Sequence, residues 1–336
     1  MVATSTFRIG IIGAGGIAGA HVASATETGG AVEVVAVADP VEASREKLAS
    51  QTGAEGFQDA GALIDRAKDL GLGGVVVCTP PSARLDIVER ALKAGLPVLC
   101  EKPLAHTLAD AKRVAELGAA HPKTPAFVAY CHRFAPAVTE MARQIESGRL
   151  GTVTRFENVF ACDLPGHKDK WFSDLTLAGG GAFIDMGSHS VDLLAFLLGR
   201  GEIVGAVTDR AWPGRAETSA TVLLKVPSPV RPNIRKGVAA VIESGWAESS
   251  RFTLTVVGTN GLLHYDYEKP TELVFKDLVG QAEVSPIETH GVRFRLQLEA
   301  FARAAMGGEP GCLSTFADGV HAAEVVDRAG GSSNLL

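Results

Sequence analysis

The chain has 336 residues, which is long enough for two domains, and its 46% hydrophobic and 21% charged residues are typical of a compact folded protein. It is mildly acidic, with 32 Lys and Arg against 38 Asp and Glu, and the absence of a basic block argues against nucleic acid as a partner. No apolar run approaches the roughly 20 residues of a membrane-spanning helix, and no signal-peptide pattern opens the chain. The five cysteines show no paired spacing, so we expect reduced thiols in a cytoplasmic protein.

The first predicted element is a buried strand over Phe7–Ile12, which leads into a glycine-rich turn. The turn, Gly13-Ala14-Gly15-Gly16-Ile17-Ala18, has the spacing G-x-G-x-x-A. In such a motif the first glycine allows a tight turn, the second lets the backbone approach a pyrophosphate, and the small sixth residue lets the next helix pack on the strand. The helix N-terminus then offers N–H groups to the phosphates. We therefore expect Gly13, Gly15, Gly16 and Ile17 to bind a dinucleotide.

A second predicted strand, over 32–38, is followed by Asp39, 24 residues after Gly15. This is close to the spacing of about 20 residues expected for a carboxylate that binds the adenosine ribose. A carboxylate at this position repels a 2′-phosphate, so NAD is favoured over NADP, although Arg45 in the next helical segment would soften the repulsion. The alternatives are a purely structural strand–turn–helix unit and an Asp39 that caps the following helix.

Strands and helices continue to alternate up to about residue 130. Helices are predicted over 60–70, with Asp59 as the cap, over 83–94 and over 108–120, and strands over 75–78, 97–100 and 126–130. This alternation predicts a parallel sheet with helices on both faces. Thr79-Pro80, Glu101-Lys102-Pro103 and His132-Arg133 all come just after strand ends, at the edge where such sheets bind ligands.

Three glycines, 179–181, precede a second polar pattern. Asp185, His189 and Asp192 have the spacing i, i+4, i+7, which on an α-helix places all three on one face. An Asp one turn before a His can orient an imidazole that takes or gives a proton. The alternatives are a capping Asp185 with His189 in the core, and a metal site, for which no further ligand spacing is found.

From about residue 150 the pattern changes to a succession of strands. They are predicted over 153–160, 203–208, 219–226, 237–244, 251–257 and 262–265, several of them with alternating polarity. Such a run favours a mostly antiparallel sheet with one covered face, which leaves the other face to pair between subunits. We therefore divide the chain into a dinucleotide-binding Rossmann domain, 1–130, and a substrate-binding and oligomerisation domain, 131–336. A closing helix over 314–329 is expected to pack back on the first domain.

The order and spacing of three motifs resemble the glucose–fructose oxidoreductase and inositol dehydrogenase family. The motifs are the glycine turn 13–18, Glu101-Lys102-Pro103, and Asp185-Met186-Gly187-Ser188-His189. The resemblance implies a Rossmann doubly wound parallel sheet followed by an α/β domain with a large, mostly antiparallel open sheet. It implies NAD(P)-dependent oxidation of a hydroxyl on a sugar or cyclitol, or the reverse reduction. It also implies a homodimer or homotetramer formed through the C-terminal sheet.

The resemblance also implies roles for individual residues. Lys102 matches the lysine of the family's E-K-P motif, Asp185 and His189 match its acid and histidine, and Pro103 matches a proline whose preceding peptide bond is often cis. His189 is then the proton acceptor in oxidation and the donor in reduction, oriented by Asp185, while Lys102 stabilises the developing alkoxide.

Weaker candidates surround this set. Thr79, Pro80, Glu101 and Lys102 are expected to contact the cofactor, and Arg133 and Trp171 the substrate. The alternatives for Arg133 are a contact with the carboxamide of the cofactor and a salt bridge, and the alternative for Trp171 is packing. Asp192 faces either the substrate or only the polar contacts of its own helix. The cysteines that end strands are expected to be small apolar filler, since a redox role needs a depressed thiol pKa.

Two other functions stay open at this level. The same residues could support a redox-assisted elimination or hydrolysis of a glycoside or sugar derivative, in which the cofactor is regenerated. Alternatively, the chain could be a dinucleotide-binding sensor without catalysis, for which the glycine turn and Asp39 alone would suffice. No metal is expected in either case.

Overall fold

The computed structural model of the protein describes residues 6–332. The chain divides into two compact units. The first consists of the residues up to Cys131 together with Val292–Val320, and the second of His132–Gly291 together with the residues from His321 onward. Within residues 6–332, no helix has both the length and the apolar character that crossing a membrane requires.

The first unit is built on parallel strands that alternate with helices. Its strands are β1 (Phe7–Ile12), β2 (Val32–Ala38), β3 (Glu55–Phe57), β4 (Gly74–Val77), β5 (Val98–Cys100) and β6 (Ala126–Val128). Its helices are α1 (Gly16–Glu27), α2 (Glu42–Thr52), α3 (Ala60–Asp65), α4 (Arg84–Lys93) and α5 (Leu108–Ala120). The strands lie in the order β6-β5-β4-β1-β2-β3, so the order reverses between β1 and β4, as in a doubly wound Rossmann sheet.

The second unit contains, within residues 132–291, a larger sheet and three α-helices. Its helices are α6 (Pro136–Glu146), α7 (Leu175–Ala178) and α8 (Ser188–Leu197). Its strands are β7 (Val153–Asp163), β8 (Glu202–Asp209), β9 (Ser219–Val226), β10 (Ile234–Gly245), β11 (Ala247–Gly258), β12 (Gly261–Asp266), β13 (Glu272–Asp277) and β14 (Ala282–Pro286). They lie in the order β14-β13-β12-β11-β7-β10-β9-β8. Of the described pairs in this sheet, β10 with β7 is parallel and the others are antiparallel.

The pairing of these strands explains where the core of the second unit lies. One row across the sheet consists of Leu224, Ala240, Phe156, Val256 and Leu263, which are cross-strand partners and all buried. Helix α8 packs on β7 and β10. The neighbouring row faces the other way and is more exposed, as the two-residue period of a strand requires.

The chain ends with three further elements. They are α9 (Arg293–Ala305), β15 (Ser314–Thr315) and α10 (Phe316–Ser332). Strand β15 pairs antiparallel with β6 and extends the first sheet. A Cβ added to Gly319 in α10 would lie 2.9 Å from the side chains of Leu104 and Val128, so a glycine is needed for this close approach.

The structure confirms the predicted fold class, a parallel Rossmann sheet followed by a mostly antiparallel open sheet. Helix α5 has the predicted bounds, and the Asp59 side chain accepts a hydrogen bond from the Ala62 N–H, as predicted for a cap. The helix predicted over 60–70 is too long. Helix α3 ends at Asp65, and the residues after it form turns that lead to Gly71, whose φ is +62°.

Candidate active site

The glycine turn after β1 is closely packed on one side and open on the other. Gly13 has φ +98°, and a Cβ added to it would lie 2.8 Å from backbone atoms of Cys78 and Thr79, so the position requires glycine. A Cβ added to Gly15 or Gly16 would meet nothing within 4 Å, and both residues are exposed. The backbone here is therefore open to a ligand.

Helix α1 begins directly at this open turn. Its N-cap is Gly15, no side chain caps the first turn, and that turn contains no acidic residue. A helix start of this kind presents backbone N–H groups and a partial positive charge, which favour a phosphate. Ile17, the fourth residue predicted to bind the cofactor, lies half-buried in this first turn.

The carboxylate of Asp39 is anchored by the backbone on both sides. Its Oδ2 accepts a hydrogen bond from the N–H of Ala14 at 2.6 Å, and its Oδ1 accepts one from the N–H of Val41 at 2.8 Å. A carboxylate has about four acceptor sites, so two remain for a ribose diol. Arg45 lies beside it, with Nη1 donating to the main-chain carbonyl of Asp39 at 2.7 Å.

Thr79 follows β4, at the point where the strand order reverses. Its hydroxyl is buried and has no hydrogen-bond partner among the described residues. A buried hydroxyl normally finds a partner, so this one is suited to a ligand group. The open glycine turn, the anchored Asp39 carboxylate and this hydroxyl together fit a dinucleotide such as NAD. Pro80, which comes next, is exposed.

Glu101 is held by a buried histidine. Its Oε1 lies 2.8 Å from Nε2 of His21, with side-chain exposures of 4% and 0%, and its Oε2 accepts the main-chain N–H of Lys102 at 3.0 Å. Both carboxylate oxygens are thus engaged within the first unit. This arrangement favours a positioning role for Glu101 over the direct cofactor contact expected from the sequence. Lys102 itself is half-buried.

The side chain of Arg84 binds the backbone of the same segment. The guanidinium is buried, and it donates to the main-chain carbonyls of Thr79, Glu101 and Pro103. The peptide bond between Lys102 and Pro103 is cis, which confirms the expectation from the resemblance. Arg84 therefore links the loop after β4 to the loop after β5.

The Asp/His segment differs from the single α-helical face that its spacing predicts. Residues Phe183–Gly187 form a π-helical turn, and α8 begins only at Ser188. The wider turn changes the phase between Asp185 and the residues of α8. Asp185 and His189 are half-buried, whereas Asp192 is 2% exposed. The prediction of a single α-helix through all three residues is therefore wrong at Asp185, whereas a shared face stays a prediction.

Two glycines and the half-buried carboxylate of Glu217 set the position of this turn. The carboxylate of Glu217 accepts the N–H groups of Gly181 at 2.8 Å and Phe183 at 3.2 Å. Burial raises the pKa of the Glu217 carboxyl, and these N–H groups act in the opposite direction. A Cβ on Gly181 would lie 1.9 Å from the carbonyl oxygen of Glu217, and one on Gly187 would lie 2.2 Å from the Phe183 ring.

Asp185 and His189 each have an aromatic neighbour in the second unit. The indole Nε1 of Trp246 donates to Oδ2 of Asp185 at 3.1 Å, and Trp246 is fully buried. The imidazole of His132 lies with its centroid 4.6 Å from that of His189 at an interplanar angle of 69°. An acid held by a buried donor and a histidine packed edge-to-face on a second imidazole can carry out proton transfer with defined geometry.

Arg133 and Asp192 pair with each other. The guanidinium Nε and Nη2 donate to the two carboxylate oxygens at 2.8 and 2.7 Å, and the side chains are 8% and 1% exposed. The Arg133 guanidinium also lies 5.3 Å from the centroid of the Phe196 ring. This geometry favours the salt-bridge alternative for Arg133 and a structural role for Asp192.

Trp171 belongs to a stack of rings in the loop after β7. The ring centroids of Trp171 and Phe172 are 4.0 Å apart. The His167 ring continues the stack, with its centroid 4.6 Å from that of Phe172 and 5.1 Å from that of Trp246. Trp171 is half-buried, so it has both a packing partner and an accessible part. Its predicted substrate contact stays a prediction.

All five cysteines lie within the described residues, and none of the five forms a disulfide. Burial raises the pKa of Cys100 and of Cys131 to about 11, and raises that of Cys78 well above its ordinary value. A redox role would need a lowered thiol pKa, so these three cysteines serve as small apolar side chains in the core. Among residues 6–332, no group of three or more His, Cys, Asp or Glu side chains could hold a metal ion.

Some of the residues that support the candidate site escape sequence reasoning. Two of them have a weak sequence signal. His21 interrupts the apolar side of α1, and Arg84 follows Pro81 by three residues, close to the end of β4. Trp246, Glu217 and Tyr267, which contacts His132, have none. Their partners lie between 34 and 135 positions away in the chain.

Comparisons with known proteins agree with this description. Residues 7–130 match a family model described as an oxidoreductase family with an NAD-binding Rossmann fold, and residues 138–264 match one described as a GFO/IDH/MocA C-terminal domain. The chain is 29% identical over 331 residues to the rhizopine catabolism protein MocA of Rhizobium meliloti, covering 96% of this chain and 94% of that protein.

Two further similarities extend over nearly the whole chain. Inositol 2-dehydrogenase 1 of Saccharopolyspora erythraea is 27% identical over 336 residues, covering 96% of this chain and 92% of that protein. The crystal structure of an inositol dehydrogenase homologue from Azotobacter vinelandii, complexed with NAD+, superposes with a TM-score of 0.87 at 21% identity. It covers 100% of this chain and 98% of that one, and at this identity it supports the fold alone.

Proposed function

Because the chain belongs to the GFO/IDH/MocA family of oxidoreductases, we propose that it transfers a hydride between NAD and a secondary alcohol or ketone of a sugar, cyclitol or sugar derivative. The chain is an oxidoreductase acting on CH–OH groups, and its cofactor is NAD. The relative named as an inositol dehydrogenase supports a polyhydroxylated ring as substrate. The observation that carries the proposal is the pair of Asp185, held by Trp246, and His189, packed on His132.

The cofactor contacts follow from the first unit. We assign the pyrophosphate to the N–H groups at Gly15, Gly16 and Ile17, and the ribose diol to the carboxylate of Asp39. Gly13, whose own N–H donates to the carbonyl of Ala38 at 2.7 Å, provides the tight turn beside them. The hydroxyl of Thr79 is suited to a hydrogen bond with the bound cofactor because it has no partner among the described residues. When bound, NAD supplies the hydride acceptor, and its reduced form supplies the donor.

The chain's own residues handle the proton and the developing charge. The imidazole of His189 accepts the hydroxyl proton as the substrate is oxidised and returns it in the reduction, since a histidine titrates close to neutral pH. Asp185, oriented by its bond from Trp246, fixes the position of the imidazole or of a substrate hydroxyl. The ammonium of Lys102 offsets negative charge on the substrate oxygen.

The test begins with a substrate panel. The wild type is incubated with NAD and myo-inositol, scyllo-inositol, a methyl glucoside or an aldose, and with NADH and the corresponding ketones, and NADH absorbance is followed. We expect net NADH formation with at least one polyol. Product release without a net absorbance change would instead identify a redox-assisted elimination or hydrolysis.

The residue assignments are tested with His189→Ala and Lys102→Ala on the best substrate. Loss of a general base typically costs 10²–10⁴-fold, so we expect kcat to fall by at least about a hundredfold in His189→Ala, and strongly in Lys102→Ala. NAD binding, measured by quenching of tryptophan fluorescence, should stay within a few-fold of wild type in both variants. Near-normal turnover in both would rule out the assignment, and absence of NAD binding by the wild type would rule out a dinucleotide enzyme or sensor.

We also infer that the exposed face of the large sheet pairs with a second copy of the chain in a homodimer or homotetramer. Val207 on β8 and Leu223 on β9 lie on this face, and they are 59% and 41% exposed. Leu223→Glu should lower the sedimentation coefficient toward that of a single chain. Leu278→Glu, at a 75% exposed position between β13 and β14, is the matched control and should leave it unchanged.

A further inference from the structure

Two tyrosine–histidine pairs lie side by side at the end of β12. The hydroxyl of Tyr265 lies 3.1 Å from Nδ1 of His290, and the hydroxyl of Tyr267 lies 3.0 Å from Nδ1 of His132. Both tyrosines are buried, with 0% and 9% exposure, and their ring centroids are 4.5 Å apart. The two pairs are therefore alike in chemistry, in burial and in their place on the fold.

The Tyr267–His132 pair contacts His189 directly, whereas the rings of Tyr265 and His290 contact Tyr267, at centroid distances of 4.5 and 5.3 Å. The His132 ring lies between Tyr267 and His189, with centroid distances of 5.4 and 4.6 Å, and it also contacts Phe160 at 5.0 Å. Phe160 in turn lies edge-on to Tyr267 at 5.3 Å. Ring contacts with Phe160 and Tyr267 and a hydrogen bond with the Tyr267 hydroxyl hold the His132 imidazole, so the ring on which His189 packs has a fixed orientation.

We propose that His132, held by the Tyr267 hydroxyl, is a positioning residue that fixes the ring orientation of His189 for proton transfer. The proposal rests on the proton-transfer role proposed above for His189. The physical basis is that a general base must hold its nitrogen within hydrogen-bond reach of the substrate hydroxyl, and that a small misplacement of a catalytic group can cost up to about a hundredfold in rate.

The near-identity of the two pairs supplies the control. Tyr267→Phe and Tyr265→Phe each remove one buried hydroxyl bonded to a histidine Nδ1, and each keeps the ring. We expect kcat to fall about tenfold in Tyr267→Phe, with the KM for substrate and the affinity for NAD within a few-fold of wild type. Tyr265→Phe should keep kcat within about twofold of wild type, although it should lose about as much thermal stability as Tyr267→Phe does.

A double-mutant cycle tests whether the hydroxyl acts through His132. His132→Phe keeps a ring of similar size and loses the Nδ1 bond, so its kcat should fall at least as much as in Tyr267→Phe. The double variant His132→Phe/Tyr267→Phe should be no slower than His132→Phe alone, because both changes remove one interaction. Multiplied losses in the double variant would overturn the proposal, as would equal losses of kcat in Tyr267→Phe and Tyr265→Phe.

A spectroscopic readout separates this proposal from the proposed function. The chain has nine histidines, and with ¹⁵N-labelled histidine the His189 ring signals are identified by their loss in His189→Ala. Tyr267→Phe should shift the ring signals of His132 and His189, whereas Tyr265→Phe should shift that of His290 and leave that of His189 in place. An unmoved His189 signal in Tyr267→Phe would overturn the positioning role even where His189→Ala abolishes turnover. A moved signal together with normal turnover in His189→Ala would instead reject the proton-transfer role and, with it, the catalytic part of this proposal.

Discussion

The indole nitrogen of Trp246 donates a hydrogen bond to the carboxylate of Asp185, 61 positions earlier in the chain. Trp246 comes just after β10 and is fully buried, so its N–H is held in one place. A buried indole N–H needs a partner, and Asp185 provides it. The bond therefore orients the acid that precedes His189.

The first prediction removes this bond. Trp246→Phe keeps an aromatic ring but loses the donor, and a hydrogen bond to a charged group contributes about 1.5–3 kcal/mol. We expect kcat to fall about tenfold or more, together with a loss of thermal stability. Trp212→Phe is the matched control, since the Trp212 ring stacks on Trp246 at 6.1 Å and is only half-buried. Equal kcat values for the two variants would show that the bond does not matter for turnover.

The second prediction concerns the buried pair of Arg133 and Asp192. Removing one partner leaves an uncompensated buried charge, which typically costs about 3–5 kcal/mol, whereas replacing both by apolar residues is much less costly. Arg133→Met should therefore lower the free energy of unfolding in urea strongly, and Arg133→Met/Asp192→Leu should recover part of the loss.

The chain offers a surface pair of the same geometry as the control. Arg143 donates to both carboxylate oxygens of Glu140 at 2.8 and 2.7 Å, but its side chain is 67% exposed. Exposed pairs contribute about 0–1 kcal/mol, so Arg143→Met should cost little. If Arg133→Met also costs little stability but raises the KM for substrate, the substrate-binding alternative for Arg133 is the correct one.

The contrast between Asp39 and Trp246 shows which contacts of the candidate site can be predicted from the sequence. The strand, the glycine turn and Asp39 lie within one local unit, so their spacing already predicts that they meet. Trp246 has no local relation to Asp185, and Tyr267 has none to His132, because sheet pairing brings them together over long separations. Strand alternation predicts the sheet and its buried face, but it does not predict which strand end lies beside which helix.

The π-helical turn at Phe183–Gly187 marks a second limit. An i, i+4 spacing of Asp and His predicts one α-helix through both residues, and this prediction fails at Asp185 because the turn is wider there. The cause is tertiary, since Glu217 binds the N–H groups at the start of the turn and Gly187 allows the Phe183 ring to lie close. Neither contact has a local sequence signature.

The third prediction concerns the choice of cofactor. Asp39→Asn removes the negative charge that repels a 2′-phosphate, and Arg45 already lies beside the site. A change of about 2–3 kcal/mol corresponds to about a hundredfold, so the ratio of kcat/KM for NAD over NADP should fall by roughly that factor. Glu42→Gln, which removes an exposed carboxylate in the first turn of α2, is the control. An unchanged ratio in Asp39→Asn would show that Asp39 does not face the ribose.

The fourth prediction uses the buried thiols. Burial raises the pKa of Cys100 and of Cys131 from 9.0 to about 11 in the folded chain. The unfolded chain therefore loses these protons first as the pH rises, and the folded state is destabilised between about pH 9 and pH 11. Each thiol contributes a decrease of about 1 kcal/mol per pH unit in that window and none below it.

Urea unfolding at several pH values measures this slope. The variants Cys100→Ala and Cys131→Ala should each flatten it between about pH 9 and pH 11, because each removes one buried titrating group. Cys312→Ala, at a half-exposed position, should leave the slope unchanged. At about pH 8 only about one in a thousand of the Cys100 and Cys131 groups is a thiolate, so iodoacetamide should not modify either residue in the folded protein. Rapid alkylation of Cys100 or Cys131 under these conditions would contradict the buried, protonated state and would reopen a redox role for the thiols that end these strands.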